Sequence, residues 1–238
     1  MPELQTPSNG PADVVFLLDV DNTLLDGDRT VADYHEHLKH ELGDVPARHY
    51  WTIFDRLRKE LDYVDYLGAL QHYRLEIEQG SADEQRLLTL SSFFIDYPFA
   101  DRLYAGALDV ITHLDHYGPT VILSDGDVVL QPRKLQRSGL WRAVQGRALI
   151  YVHKEKMLHA VERHYPARHY VMVDDKLGVL TAMKSIWQER LTTVFVRQGH
   201  YALDPAIIAA QPAADFTIEC IGDLATLDLA QLFSPVME

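Results

Sequence analysis

Acidic and hydroxyl side chains follow an apolar run near the start of the chain. Residues 14–18 are all apolar, and the chain then places Asp19, Asp21, Asn22 and Thr23. Two carboxylates two positions apart repel each other unless a proton or a positive charge lies between them. A hard cation such as Mg²⁺ relieves this repulsion because it takes oxygen ligands and keeps water or substrate phosphate in its shell. Aspartate can also attack phosphorus and form an aspartyl phosphate, so the stretch indicates either phosphate chemistry or only an acidic turn.

Three later apolar runs also end in polar or charged side chains. These are Ser124 after residues 120–123, Lys154 after residues 148–152, and Asp174 with Asp175 after residues 170–173. In a parallel sheet the carboxyl ends of the strands share one edge, where open α/β sheets bind their ligands. The set would supply a nucleophilic carboxylate, a second acid, a hydroxyl, a cation and two further carboxylates. Phosphoryl transfer needs mainly positioning and charge neutralisation, and this set provides both.

The elements that would position these groups alternate between strand and helix patterns. A continuous apolar run such as residues 14–18 is typical of a strand buried on both faces. Further strands are predicted at 192–196 and, at an edge, 216–219, and a last helix is predicted near 223–232. Alternation of this kind predicts an α/β fold with a doubly wound parallel sheet.

Between the first and second strands lies a long segment with helical patterns and no convincing strand. Thr30 is a predicted N-cap for a helix to about residue 42, and residues 47–79 carry apolar positions at helical spacing. Residues 81–84 match a capping box that would open a helix through about residue 94. A plain β-α-β crossover needs far fewer residues. We therefore predict a helical cap over residues 27–100, inserted into a core formed by residues 12–26 and 101–238.

Composition restricts the partners of the protein. The chain has 238 residues, with 22 basic and 35 acidic side chains and a formal charge of −13. A nucleic-acid groove needs a basic stripe, which is lacking, so bound phosphate would depend on a metal, a lysine or a helix N-terminus. The single Cys220 excludes a disulfide framework and a cysteine-rich zinc site. With no apolar stretch near the ~20 residues that span a bilayer and no signal-peptide pattern, we expect a cytoplasmic protein without nucleic-acid or membrane partners.

The motifs stand in the order of the haloacid dehalogenase superfamily, and from about residue 14 to 197 the chain resembles its phosphatase branch. Residues 19–23 match the D-x-D-x-T signature of that superfamily. The resemblance implies a Rossmann-like core with a helical cap of the C1 type, inserted after the first motif. It implies that Asp19 is the nucleophile and a Mg²⁺ ligand. It also implies that Asp21 is the general acid and base, with its backbone carbonyl on the metal.

The later motifs carry further implied roles. Ser124 matches the residue that hydrogen-bonds the transferring phosphoryl group, and Lys154 matches the lysine that stabilises nucleophile and phosphate. Lys156 is the alternative to Lys154, because Glu155 stands where the family often has proline. Asp174 and Asp175 match the acidic metal-binding motif, and which of them binds directly stays open. The neighbours of the first two motifs are assigned to substrate binding: Asn22, Thr23, Asp125 and Gly126.

The predicted function is Mg²⁺-dependent hydrolysis of a small phosphorylated metabolite through an aspartyl phosphate. Dehalogenases of the superfamily do not use the second aspartate, so Asp21 favours a phosphatase. A phosphonate hydrolase needs a cap lysine that can form a Schiff base, and only Lys39 and Lys59 are available. A phosphomutase or phosphotransferase shares the core motifs, and a non-catalytic phosphate-binding module is a third alternative. The substrate and the oligomeric state stay open.

Several basic side chains of the predicted cap could meet a substrate. They are Arg56, Arg58, His72 and Arg74. Solubility of an exposed helix face explains them equally well, and the sequence does not distinguish these two interpretations.

Overall fold

Six parallel strands form the centre of the protein in the computed structural model, which describes residues 10–77 and 82–233. The strands are β1 (Ala12–Leu18), β2 (Thr120–Asp125), β3 (Ala148–Tyr151), β4 (Ala167–Asp174), β5 (Leu191–Val196) and β6 (Phe216–Ile218). Their order across the sheet is β3-β2-β1-β4-β5-β6. The predicted α/β class with a doubly wound parallel sheet is confirmed. In this order the connections diverge on either side of β1, where ligands bind in such sheets.

The central strand β1 is buried on both faces, as its continuous apolar run predicts. Val15 and Leu17 pack into the hydrophobic cluster on one side of the sheet, and Phe16 and Leu18 pack into the cluster on the other. Leu18 lies level with Ile122 of β2 and with Val173 of β4. β4 ends one residue past this level and β2 three residues past it, so the polar residues at these strand ends lie at one edge.

A helical insertion follows β1. It comprises α1 (Gly27–Leu42), α2 (Asp44–Leu61), α3 (Tyr66–Glu76) and α4 (Ala82–Asp96). The helices pack around a separate core rich in aromatic rings, in which Tyr34 contacts Phe94 with ring centroids 4.3 Å apart. Ser81 of the predicted capping box lies outside the described residues. The insertion is confirmed, whereas the domain boundaries at residues 27 and 100 stay predictions.

The two connections between the insertion and the sheet run side by side. Leu25 and Leu103 form an antiparallel bridge. The backbone N–H of Asp26 donates a hydrogen bond to the carbonyl of Arg102 at 2.7 Å. The two connections are therefore paired with each other where the insertion joins the core.

The remaining helices pack around the sheet. They are α5 (Ala107–Leu114), α6 (Leu130–Ser138), α7 (Leu140–Ala143), α8 (Leu158–His164), α9 (Leu177–Trp187), α10 (Gly199–Leu203) and α11 (Pro205–Ala209). In the described part of the chain, no helix is long and apolar enough to cross a membrane. The helix predicted at 223–232 is wrong, since two 3₁₀ turns, Ile221–Ala225 and Leu229–Leu232, take its place. Asp228 interrupts it, because its side chain accepts a hydrogen bond from the Ala230 N–H and starts the second turn.

Replacing Phe94 with alanine is expected to destabilise the insertion. The ring is fully buried among aromatic neighbours, so its loss should lower the free energy of unfolding by about 3–5 kcal/mol. Urea denaturation followed by tryptophan fluorescence measures this change. Leu88→Ala on the same helix is the control, since Leu88 is 70% exposed and should change the free energy by less than about 0.5 kcal/mol. Equal effects of the two substitutions would contradict this packing.

Candidate active site

Asp19 and Lys154 form a buried ion pair at the carboxyl edge of the sheet. Asp19 directly follows β1, and its backbone N–H donates to the carbonyl of Val173 at 3.0 Å. Lys154 follows β3 and is 2% exposed, with Nζ donating to Asp19 Oδ1 and lying 2.7 Å from Asp174 Oδ2. Lys156 is exposed. Of the two lysines considered from sequence, Lys154 is therefore the one that contacts the predicted nucleophile.

Three aspartates meet beside this lysine. Asp19, Asp174 and Asp175 each offer an oxygen within 4.8 Å of those of the other two, and all three are buried. Burial raises the pKa of Asp19 to about 6, although the charge of Lys154 opposes the rise. Burial, together with the charges of Asp174 and Asp19, raises the pKa of Asp175 to about 9. The fold therefore concentrates more negative charge here than Lys154 balances.

The donor set of this cluster fits a hard divalent cation. Both carboxylate oxygens of Asp175 are buried without a hydrogen-bond partner among the described residues. Asp174 Oδ1 accepts a hydrogen bond from the Lys176 N–H at 2.8 Å, which orients its carboxylate. Unpaired buried carboxylate oxygens are costly unless a proton or a metal satisfies them. Asp19, Asp174 and Asp175 can therefore hold a metal ion.

Asp21 lies outside the carboxylate cluster and has its own cation. Lys134 Nζ lies 2.6 and 2.7 Å from the two oxygens of Asp21, and Gln131 Nε2 donates to Asp21 Oδ2 at 3.3 Å. Burial would raise the pKa of Asp21, but the Lys134 ammonium outweighs burial and holds it below its ordinary value. This arrangement favours the ionised carboxylate, the form that a general base requires. The metal role predicted for the Asp21 carbonyl stays a prediction.

Sequence reasoning missed Gln131 and Lys134. Both lie on α6, three positions apart, so they share a helix face. That face looks onto the carboxyl ends of β1 and β2, where Gln131 also donates to Ser124 Oγ at 2.8 Å. The available signal was their helical spacing with Leu130 and Leu135, which lie on the buried face of α6. Gln131 thus donates hydrogen bonds both to Asp21 of the first predicted motif and to Ser124 of the second.

The second motif, at the end of β2, is held by hydrogen bonds within the protein. Ser124 is buried beside Gln131, and Asp125 Oδ1 accepts a hydrogen bond from the Lys154 N–H at 2.7 Å. Gly126 passes so close to α6 that a Cβ there would lie 2.9 Å from the Gln131 side chain. Asp125 therefore positions the loop that carries Lys154. The substrate-binding roles of Asp125 and Gly126 stay predictions.

The loop after β1 accepts hydrogen bonds from Gln198, which lies just after β5. Gln198 Nε2 donates to the carbonyls of Asn22 and Thr23, at 3.4 and 3.1 Å. The Asn22 side chain exchanges two hydrogen bonds of 3.1 Å with Asp28 at the start of α1. The Thr23 hydroxyl is fully buried and has no partner among the described residues. The carbonyls of Asn22 and Thr23 and the Asn22 side chain thus form hydrogen bonds that hold this loop in position. The substrate-binding role of both residues stays a prediction.

Comparison with known proteins supplies independent observations. A family model described as haloacid dehalogenase-like hydrolase matches residues 14–186. A solved structure from Burkholderia xenovorans LB400, also described as a haloacid dehalogenase-like hydrolase, is 61% identical. It covers 92% of this chain and 100% of its own, with a TM-score of 0.85. No curated protein matches the sequence significantly.

Two more distant structures share the fold. The HAD-hydrolase YfnB from Bacillus subtilis, described as bound to magnesium, is 18% identical and covers 90% of this chain and 98% of its own, with a TM-score of 0.57. The L-2-haloacid dehalogenase from Xanthobacter autotrophicus is 17% identical and covers 91% of this chain and 98% of its own, with a TM-score of 0.59. At these identities the likeness concerns the fold alone.

Proposed function

The chain belongs to the haloacid dehalogenase-like hydrolase family, and within that family we propose that it is a Mg²⁺-dependent phosphatase acting on a small phosphate monoester. The observation that carries the proposal is the separation of two carboxylate environments. Asp19 lies within the buried cluster with Lys154, whereas Asp21 lies outside it beside Lys134. This separation supports our assignment of the attack on phosphorus to Asp19 and of the proton transfers to Asp21.

The proposed reaction has two steps. An oxygen of Asp19 attacks phosphorus, the bond from phosphorus to the leaving oxygen breaks, and Asp21 supplies the proton that this oxygen needs. Ser124 and Lys154 bind the transferring group. Asp21, then ionised, takes a proton from the attacking water, which releases inorganic phosphate and restores Asp19. The contact with Lys134 opposes protonation of Asp21 and therefore favours the second step over the first.

The cofactor proposed for this reaction is Mg²⁺. Asp19, Asp174 and Asp175 would hold the ion, which supplies positive charge to the phosphoryl oxygens as they approach Asp19. The oxygen-only donor set and the unpaired Asp175 oxygens support this choice. YfnB, which has the same fold, is described as bound to magnesium.

The same site argues against carbon–halogen cleavage. Attack on carbon develops no charge that requires a divalent cation, so a buried cluster of three carboxylates would serve no purpose in it. Asp21 and its partner Lys134 would also have no role. Phosphoryl transfer to a second substrate hydroxyl is the other outcome of this site, and the acceptor in the second step decides between the two.

Phosphate release from 4-nitrophenyl phosphate tests the proposal. We expect turnover with Mg²⁺ and a loss of at least about 100-fold after chelation, restored when Mg²⁺ is added back. Chloride release from 2-chloropropionate, measured in parallel, should be absent. Chloride release without phosphate release would overturn the phosphatase proposal, as would phosphate release that chelation leaves unchanged.

A further inference from the structure

One of the basic cap residues considered from sequence, Arg58, forms a hydrogen bond with the core. Arg58, in the last turn of α2, donates from Nη2 to the hydroxyl of Tyr201 on α10 at 2.7 Å. Arg56 binds Glu76 within the cap at 2.9 Å. Two residues along an α-helix are separated by about 200°, so Arg56 and Arg58 point to opposite sides of α2. Of these two arginines, Arg58 is therefore the one that reaches the core.

The position of Tyr201 is set by the predicted catalytic loop. His200 donates its backbone N–H to Asp28 Oδ2 at 2.7 Å, and its ring Nδ1 lies 2.6 Å from Asp28 Oδ1. Asp28 in turn binds Asn22 in the loop after β1. The Tyr201 ring also lies 5.1 Å from Lys176 Nζ, and Lys176 directly follows the metal-binding aspartates. Tyr201 therefore stands on the rim of the site, between two cations.

Neither of these cations forms an ion pair with a carboxylate in the described part of the chain. Arg58 and Lys176 form no ion pair with any described carboxylate, in a chain with 35 acidic side chains and a net charge of −13. Lys176 directly follows Asp174 and Asp175 in the chain. A divalent cation on those aspartates would balance them and leave Lys176 available to a substrate.

Arg58 is connected to the catalytic edge through Tyr201. Its guanidinium lies 2.7 Å from the Tyr201 hydroxyl, and the Tyr201 ring lies 5.1 Å from Lys176 Nζ, next to Asp175 in the chain. The Tyr66 ring of α3 stacks on Phe54 of α2, with centroids 4.8 Å apart, and so packs against the helix that carries Arg58.

We propose that Arg58, with Tyr201 and Lys176, forms a subsite for a second anionic oxygen group on the leaving group of the substrate. A guanidinium binds a carboxylate or a phosphate through paired hydrogen bonds, and Tyr201 orients Arg58 for this. The substrate class is then a phosphate monoester that also carries a carboxylate or a second phosphate. This inference concerns the leaving group of the substrate. The hydrolysis of that substrate rests on the proposed phosphatase function, whereas its binding at this subsite does not.

Three two-carbon probes separate the charge of the leaving group from its size. They are 2-hydroxyethyl phosphate, 2-phosphoglycolate, and the bisphosphate of ethylene glycol. Binding is measured by calorimetry with Mg²⁺ and the Asp19→Asn variant, in which no covalent step can consume the probe. Phosphate release by the wild-type protein is measured in parallel. We expect one or both anionic probes to bind about tenfold more tightly than the neutral one, the gain of a charge-assisted contact.

Substitutions on α2 test whether Arg58 causes the tighter binding of the anionic probes. Arg58→Met, made in the Asp19→Asn background, should reduce the preference to less than about twofold and leave binding of 2-hydroxyethyl phosphate nearly unchanged. Arg58→Lys should retain part of it. Arg56→Met is the matched control because it removes the same charge from the opposite side of the same helix, and it should keep the full preference.

The outcomes separate this inference from the proposed function. If the three probes bind equally, or if Arg56→Met and Arg58→Met have equal effects, the subsite is refuted even when the wild-type protein hydrolyses all three. If the wild-type protein hydrolyses neither these probes nor 4-nitrophenyl phosphate, the phosphatase proposal fails. A preference that depends on Arg58 would then still establish the subsite. A preference for only one anionic probe identifies the second group as a carboxylate or as a phosphate.

Discussion

Asp19→Asn is expected to abolish phosphate release, with a fall in kcat of at least about 10⁴-fold. The amide has nearly the size of the carboxylate, but it cannot attack phosphorus and form the aspartyl phosphate. It also removes one negative charge from the cluster of three aspartates beside the buried Lys154 ammonium. Release of 4-nitrophenol under saturating Mg²⁺ measures the loss.

Asp13→Asn on the same strand is the control for that experiment. Asp13 lies at the amino end of β1, its side chain is 89% exposed, and its nearest described cation is Arg168 at 3.5 Å. Its substitution should leave kcat unchanged, since a surface ion pair of this kind contributes little. Residual turnover above a tenth of wild type in Asp19→Asn, with an unchanged melting temperature, would exclude the covalent route.

Asp175→Asn is expected to make the metal-free protein more stable and to abolish its response to Mg²⁺. Both oxygens of Asp175 are buried without a partner, beside two further carboxylates. Because the pKa of Asp175 is raised to about 9, folding near neutral pH must protonate this side chain, and removing that cost should raise the free energy of unfolding without metal by at least about 1 kcal/mol. For a chain of this size each kcal/mol shifts the melting temperature by about 2–4 °C.

Mg²⁺ should act in the opposite way on the wild-type protein. A ligand that binds only the folded state stabilises it by about 2.7 kcal/mol at a concentration 100 times its Kd. Differential scanning calorimetry with and without Mg²⁺ therefore distinguishes wild type, which should shift, from Asp175→Asn, which should not. Asp13→Asn should shift like wild type. A metal-free Asp175→Asn protein that melts below wild type, or that keeps the full shift, would contradict the assignment of this cluster to a metal.

Much of the fold follows from local patterns in the chain. The apolar run in β1 can be buried only if both faces of the sheet are covered, and alternating strands and helices allow few other topologies. The family signature in residues 19–23 then indicates the order of the later motifs. The predicted helix at 223–232 failed because Asp228 satisfies a backbone N–H in a way that competes with helix continuation.

The sequence alone determined which residue types stand at the ends of the strands, because strand periodicity and chain order place Asp19, Ser124, Lys154 and Asp174 at one edge. Only the tertiary structure decided which of the charged side chains pair with each other. Lys154 pairs with Asp19, Lys134 pairs with Asp21, and Asp175 pairs with nothing among the described residues. Arg56 and Arg58 are equivalent in sequence, and only the packing of α2 against α10 turns one toward the site. Pairing and burial depend on contacts between residues far apart in the chain, which no local pattern encodes.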